Sequence, residues 1–361
     1  MNENKIKKVL IIRLGAIGDV VHTTIMSDAI KSRYPECRVD YLTLTGIANL
    51  IKKHKNIDKI HNFDNRRKNN LFYLLKLGFE LRKEKYDVIF SLSNSLRNMI
   101  MCAVANPKKV TKRNKTTWGI ESFYRTANDA FNDLPKPINL QLYLDKEVVE
   151  KIKYVIKDFP KPYIIFSPGG EQDLERQGRI WPTENWTTLG SELEKKYGGT
   201  IFVCGSKAEA KDHLKYEKIK NAVIMSGKLS LEESAALFSL SDVFLGGDSG
   251  PLHIASALDV HTIAIMGSTT NAPYGEKGHT IWSTAECTKC GQKMCDKLKK
   301  DEIHTPCMKA IQPQDVLDLV GTLKVVRHAE LVSASVDFGV STLSELIGKI
   351  HHGTDAETSS A

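Results

Sequence analysis

Val9-Leu10-Ile11-Ile12-Arg13-Leu14-Gly15-Ala16-Ile17-Gly18-Asp19-Val20-Val21-His22-Thr23 decides how this chain of 361 residues is read. Residues 9–12 have the length and uninterrupted apolarity of a strand buried on both faces. Two glycines follow within six residues, and residues 20–33 then take helical spacing until Pro35. A strand, a glycine turn and a helix begin a parallel α/β sheet. The alternation continues: residues 39–44 read as a strand, 71–83 as a helix, 87–92 as a strand and 96–105 as a helix.

The pattern breaks around residues 134–142, where Pro135 and Pro137 stand. A connecting helix over 148–157 ends at Pro160 and Pro162, which places a domain boundary there. The alternation restarts with strands at 163–166, 200–204, 243–245 and 262–266. Helices fall at 184–196, 208–219, 231–240 (capped by Ser230) and 252–258. The expected organisation is therefore two α/β domains, residues 1–160 and 161–323. A tail follows at 324–361, whose polar end lacks an apolar face and reads as partly disordered, with one short helix over 343–350.

Composition narrows the class. A hydrophobic fraction of 41% and a charged fraction of 26% exclude a disordered chain or a fibrous rod. No stretch approaches the roughly 20 apolar residues of a membrane span. The polar, basic first eight residues do not read as a signal peptide, so a cytoplasmic location is expected. Seven cysteines do not make a disulfide framework in a chain this long. Residues 1–160 hold 30 Lys+Arg against 17 Asp+Glu, a net +13, whereas residues 161–361 carry −5. A basic first half suits an anionic partner or a solvated lysine-rich surface.

Four motifs carry chemistry. The turn at Gly15–Gly18 lets a ligand approach the amides of a helix start. It lacks the three-glycine spacing of a dinucleotide fingerprint, which argues against a dehydrogenase. Asp19 there either caps the helix or faces a cleft as a general base. Ser167-Pro168-Gly169-Gly170, followed by Arg176, Arg179 and Trp181-Pro182, sits at a strand's carboxyl end, where open α/β sheets bind ligands. Arginine forks nearby match phosphate oxygens. In Gly246-Gly247-Asp248-Ser249-Gly250-Pro251-Leu252-His253, proline opens a helix whose free amides form an anion site, with Asp248 or Ser249 as cap and His253 one turn inside. Cys287, Cys290, Cys295 and Cys307 form a cluster that either holds zinc or stands as reduced thiols in a loop.

Taken in order, these motifs together with Gly227-Lys228-Leu229-Ser230-Leu231 resemble glycosyltransferase family nine, the lipopolysaccharide heptosyltransferases, over roughly residues 8–320. The resemblance implies the GT-B architecture, two Rossmann-like domains whose parallel sheets face each other across a cleft, the first binding acceptor and the second the nucleotide sugar. It implies inverting transfer of heptose from an ADP-heptose donor to the inner core of lipopolysaccharide. Asp19 matches the family's catalytic base. Asp248, Ser249, Gly250 and His253 match its donor-diphosphate region, with Arg179 as the phosphate cation. Glu209 matches the acid near the donor's ribose, and Leu229 falls at the adenine segment. Arg66 and Arg67, with Lys68 beside them, loosely match acceptor-binding positions. The cysteine cluster looks like one seen in many members.

The chemistry agrees with the resemblance. Inverting transfer needs a base for the acceptor hydroxyl and cations or amides for the departing diphosphate. No Asp-x-Asp metal handle occurs, so protein groups are expected to carry the leaving-group charge, with no cofactor needed for catalysis and at most a structural zinc. The acceptor is expected to be an anionic lipopolysaccharide precursor at the cytoplasmic face of the inner membrane. The enzyme would be held there peripherally by basic residues such as Arg66, Arg67 and Lys68. No nucleic-acid partner is expected. The alternatives are a family member using another nucleotide sugar or acceptor, and a sugar-nucleotide-binding protein without activity.

Overall fold

A computed structural model describes residues 6–116, 119–137, 139–170, 178–291, 295–298, 302 and 304–323. Its first sheet contains β1 (Lys8–Ile12), β2 (Arg38–Leu44), β3 (Lys59–Phe63), β4 (Val88–Ser91) and β5 (Lys109–Lys112), in the order β3-β2-β1-β4-β5. Its second contains β6 (Tyr163–Ser167), β7 (Thr200–Val203), β8 (Ala222–Ile224), β9 (Val243–Gly246), β10 (Thr262–Met266) and β11 (Gly278–Trp282), in the order β11-β10-β9-β6-β7-β8. Every pairing is parallel. The strand order reverses between β1 and β4 in one sheet and between β6 and β9 in the other. Open α/β sheets bind ligands at the carboxyl ends of strands at such switch points.

The helices of the first unit are α1 (Ile17–Arg33), α2 (Thr45–Ile51), α3 (Leu71–Lys83), α4 (Leu96–Ala105) and α5 (Gly119–Phe131). Strand alternation sends Val9 and Ile11 to one face, against α1, α2 and α5, and Leu10 and Ile12 to the other, against α3 and α4. After α6 (Lys146–Ile156), the second unit adds α7 (Thr183–Tyr197), α8 (Ala210–His213), α9 (Leu231–Ser239), α10 (Gly250–Ala257), α11 (Pro306–Lys309) and α12 (Pro313–Thr322). Trp181, Trp186, α7 and α12 cover one face of its sheet, and α9 and α10 the other.

The boundary region shows how the units join. Helix α6 ends the 1–160 segment in sequence, yet it packs on α9 of the second unit and pairs Lys151 with Glu233. Helices α1 and α10, and α2 and α9, also pack together, so one apolar cluster runs through both units. The helix expected over 208–219 is shorter than its pattern: α8 gives way to a tighter turn over Leu214–Lys218. The tail from 324 onward, including the helix expected over 343–350, lies outside the described residues, as does Arg176.

Candidate active site

The carboxyl ends of both sheets open into one cleft of about 1620 Å³. That exceeds the roughly 300–1,000 Å³ of a single small-ligand site. From the first unit its walls include the Gly15–Ile17 turn, Leu44, Phe63 and Arg66. The second contributes Ser167–Gly170, Arg179, Glu209, Leu229 and Asp248–Pro251.

The two units meet at the starts of α1 and α10. A side chain at Gly18 would place its Cβ 2.7 Å from the His253 ring, and one at Gly250 would lie 3.0 Å from Ile17 Cβ. The His253 ring stands edge-on to His22 at 4.2 Å, and His22 packs on Tyr274 at 5.3 Å. Burial, reinforced by the neighbouring His253, pushes the His22 pKa well below its ordinary value.

Asp19 does not cap α1. The cap position is Ala16, with no side-chain hydrogen bond, and the Asp19 carboxylate is paired with the Arg13 guanidinium. Asp19 sits in the first turn, two residues beyond the cleft-lining Ile17, and is not itself a wall residue. Arg113 completes the basic surroundings. Burial lowers its pKa, while the charge of Asp19 acts to raise it.

In the second unit Asp248 is 4% exposed. His253 Nε2 lies 3.2 Å from one of its carboxylate oxygens, and Asn271 Nδ2 donates to the other at 3.3 Å. Burial alone would raise this carboxyl, but the His253 hydrogen bond and the Arg179 charge hold it below the usual range. Arg179 Nη1 donates to the Asp248 carbonyl oxygen at 3.2 Å, which points the guanidinium along the start of α10. Ser249 occupies the cap position of α10 without capping it, and among the described residues its Oγ is buried with no hydrogen-bond partner. Such a hydroxyl, beside free helix amides and a guanidinium, suits an anionic oxygen.

Glu209 Oε2 accepts from the Ser206 amide at 2.7 Å, and its stem lies against Gly170. His213 is fully buried, with Nε2 3.1 Å from the Gly169 carbonyl oxygen and Nδ1 2.6 Å from Ser226 Oγ, so it fastens the Gly169-Gly170 loop. Burial lowers the His213 pKa. Leu229 lines the cleft with Leu231 and Phe238, the apolar wall of the second unit.

Of the three basic residues put forward for acceptor, the structure brings only Arg66 to the cleft wall, where it pairs with Asp64. Arg67 stacks over Tyr73 at 4.6 Å, and Lys68 is exposed beyond it. Cys287, Cys290, Cys295 and Cys307 line one separate cavity of about 130 Å³, with Gly178 and Ser268. Among the described residues, no three His, Cys, Asp or Glu side chains are grouped as placed to hold an ion. The cysteine loop is tied down through Lys289 and Gly291 amides to Gly267 and Ser268, and Ser268 in turn donates to Gly178, next to Arg179.

Sequence reasoning missed Arg13 and Arg113 as the surroundings of Asp19, and also His22, His213, Asn271 and Tyr274. Arg13 and His22 lay in the quoted motif. The others come together only by packing between segments far apart in sequence.

Two parallel α/β units with facing switch points, a carboxylate at one and an anion cradle at the other, define a glycosyltransferase of the GT-B architecture. The family model for glycosyltransferase family 9 (heptosyltransferase) matches residues 74–300, well over half the chain, and the chain belongs to that family. Lipopolysaccharide heptosyltransferase 2 of Salmonella typhimurium is 24% identical over 322 residues, covering 76% of this chain and 87% of the relative. Lipopolysaccharide heptosyltransferase 1 of Campylobacter coli is 22% identical over 355 residues, 88% of this chain and 98% of the relative. The structure of the E. coli ADP-heptose lipopolysaccharide heptosyltransferase II superposes with a TM-score of 0.72 at 19% identity, covering 89% of this chain and 99% of that one. A family 9 glycosyltransferase from Veillonella parvula gives a TM-score of 0.76 at 16% identity, covering 88% and 97%. No helix among the described residues is long and apolar enough to cross a membrane.

Proposed function

We propose that the enzyme transfers heptose from ADP-heptose to the inner core of a lipopolysaccharide precursor in one inverting displacement. The observation that carries this reading is the shared cleft, with Asp19 beside it in the first turn of α1 and Arg179, Ser249 and the start of α10 facing it from the second unit. The acceptor hydroxyl oxygen attacks the anomeric carbon from the face opposite the diphosphate. A C–O bond forms, the bond to the diphosphate oxygen breaks, ADP leaves, and the hydroxyl proton passes to the Asp19 carboxylate. Arg13 pairs with that carboxylate and orients it. Arg179, the α10 amides and Ser249 Oγ stabilise the charge that develops on the departing diphosphate. Asp248 and His253 fix the α10 start. Glu209 accepts from a ribose hydroxyl, and Leu229, Leu231 and Phe238 flank the adenine. These groups carry the leaving-group charge, and no metal is required for turnover.

The basic first unit fits an anionic, lipid-linked acceptor presented at a membrane surface, with Arg66 at the mouth of the cleft and Arg67 and Lys68 beside it. The four cysteines that line the small cavity would be the residues to hold a structural zinc, for which thiolates are suitable ligands. A donor screen by mass spectrometry, with lipid A carrying the first core sugars as acceptor, tests the reading. A product heavier by one heptose, formed from ADP-heptose alone, is expected. Transfer only from another nucleotide sugar, or none from any donor, would overturn it.

A further inference from the structure

Eight large apolar side chains are exposed among the described residues, and six of them, Leu71, Phe72, Phe79, Leu96, Met99 and Val110, fall within forty residues of the first unit. Phe72 is 85% exposed and Leu96 71%. A side chain that large, left in water, usually has a partner when it is one of a group.

The first turns of α3 and α4 are neighbours. The Phe63 ring packs on Tyr73 of α3 at 5.5 Å and carries the Arg97 guanidinium of α4 at 5.8 Å on the other side. Leu71 and Phe72 stand in the first turn of α3, and Leu96 and Met99 in the first turn of α4. Phe79 extends the same stripe of α3, seven residues after Phe72. Basic residues frame the patch: Arg66, Arg67, Lys68 and Lys76, whereas Arg97 turns inward over Phe63 and donates to the Leu14 carbonyl oxygen. Residues 65–115 contain 13 Lys+Arg against 3 Asp+Glu. Two of those acids are already paired, Glu84 with Lys8 and Lys59, and Asp87 with Lys108. The patch is continuous with the cleft, since Phe63, beneath it, and Arg66, at its edge, both line the cleft wall.

We infer that the first turns of α3 and α4 are the surface by which this enzyme docks on an anionic lipid bilayer, Leu71, Phe72, Leu96 and Met99 entering the boundary between headgroups and acyl chains while the surrounding arginines and lysines meet lipid phosphates. The inference rests on the reading of the acceptor as a membrane amphiphile and adds a location and an apolar component to it. An acceptor whose sugars enter the cleft past Arg66 leaves its acyl chains in the same bilayer that holds the patch. Charge alone would bind any anionic surface and would be lost in salt. Apolar insertion adds affinity that salt does not remove.

The test uses the full-length Phe72→Ser/Leu96→Ser double variant, whose changes fall on exposed side chains outside the cleft. Binding to sonicated phosphatidylcholine/phosphatidylglycerol vesicles without any acceptor is measured by co-sedimentation at low and at physiological salt. Turnover is measured separately with a deacylated, water-soluble acceptor. The expected result is at least a tenfold loss of vesicle affinity at physiological salt, with turnover of the soluble acceptor unchanged. Vesicle binding equal to wild type would overturn the inference, as would wild-type protein that ignores anionic vesicles. So would a wild-type dimer that the variant converts to monomer, which would assign the patch to a second copy. Failure to turn over any soluble acceptor, with vesicle binding intact, would instead count against the acceptor reading and leave the docking surface supported.

Discussion

Replacing Gly18 by alanine separates two physical effects of opposite sign. In an open helix, alanine is favoured over glycine by roughly 1 kcal/mol. Gly18 lies in the first turn of α1, and its new Cβ would stand 2.7 Å from His253 Cδ2, about 0.7 Å inside the 3.4 Å at which ordinary contact begins. The ring has little room to retreat. It is held by Asp248 on one side and lies against His22 at 4.2 Å on another. Overpacking of this kind costs about 1–3 kcal/mol. If the His253–Asp248 hydrogen bond yields instead, the loss is of order 1.5–3 kcal/mol. After the gain in helix propensity is subtracted, Gly18→Ala should destabilise the protein by up to about 2 kcal/mol, a fall in Tm of up to about 3 °C for a chain of this size. It should also weaken ADP binding, because Asp248 and the start of α10 move with the ring. Gly46, in the first turn of α2, is the control: a Cβ there meets nothing within 4 Å, so Gly46→Ala should hold or raise Tm. Differential scanning calorimetry and titration calorimetry with ADP give both readings. A Gly18→Ala protein that melts at or above wild type and binds ADP equally well would refute the close domain contact.

Two further outcomes follow from burial. His22 and His213 are held neutral by burial, with pKa values below the ordinary imidazole value, so the unfolded chain binds protons that the native protein does not. Their contribution is complete above about pH 6.5 and is lost as pH falls below it, towards their lowered native values. Thermal unfolding followed between pH 7.5 and 5 should show Tm falling before carboxylates titrate, and His22→Leu should flatten the slope; a Tm independent of pH over this range would contradict it. Purified protein should carry about one equivalent of zinc by elemental analysis, and its removal should lower Tm and weaken donor binding through Gly178 and Arg179, whereas metal-free protein of full stability would leave the four cysteines as plain thiols.

The central strands and their following turns were legible because local chemistry and global fold agree there. Val9–Ile12 is apolar on both sides and ends in a glycine turn, and Ser230 with Glu233 forms a capping box before α9. The edge strands were not legible. In β3, Lys-Ile-His-Asn-Phe, and in β5, Lys-Val-Thr-Lys, half-exposed polar residues hide the strand period, as they do where a sheet edge must stay soluble. Helix α2, with seven residues, is too short to show a periodicity. In the site, Asp19 and the Asp248–His253 segment were found because each lies in one short motif. Arg13 stood in the same motif as Asp19, but no local pattern marked it as the partner of that carboxylate, and the His22–His253–Tyr274 stack was not legible because interdomain packing selects it.

The steady-state kinetics of Asp19→Asn with ADP-heptose and a lipid A acceptor carrying the first core sugars test the central claim most directly. Asparagine keeps the size of the side chain and can still face Arg13, but it cannot take the acceptor's proton. The account predicts that kcat falls by roughly 10²–10⁴-fold, the usual contribution of a general base, while the affinity for ADP, held by Arg179 and the α10 start in the other unit, stays at the wild-type value. Turnover close to wild type would contradict it and remove Asp19 from the chemistry.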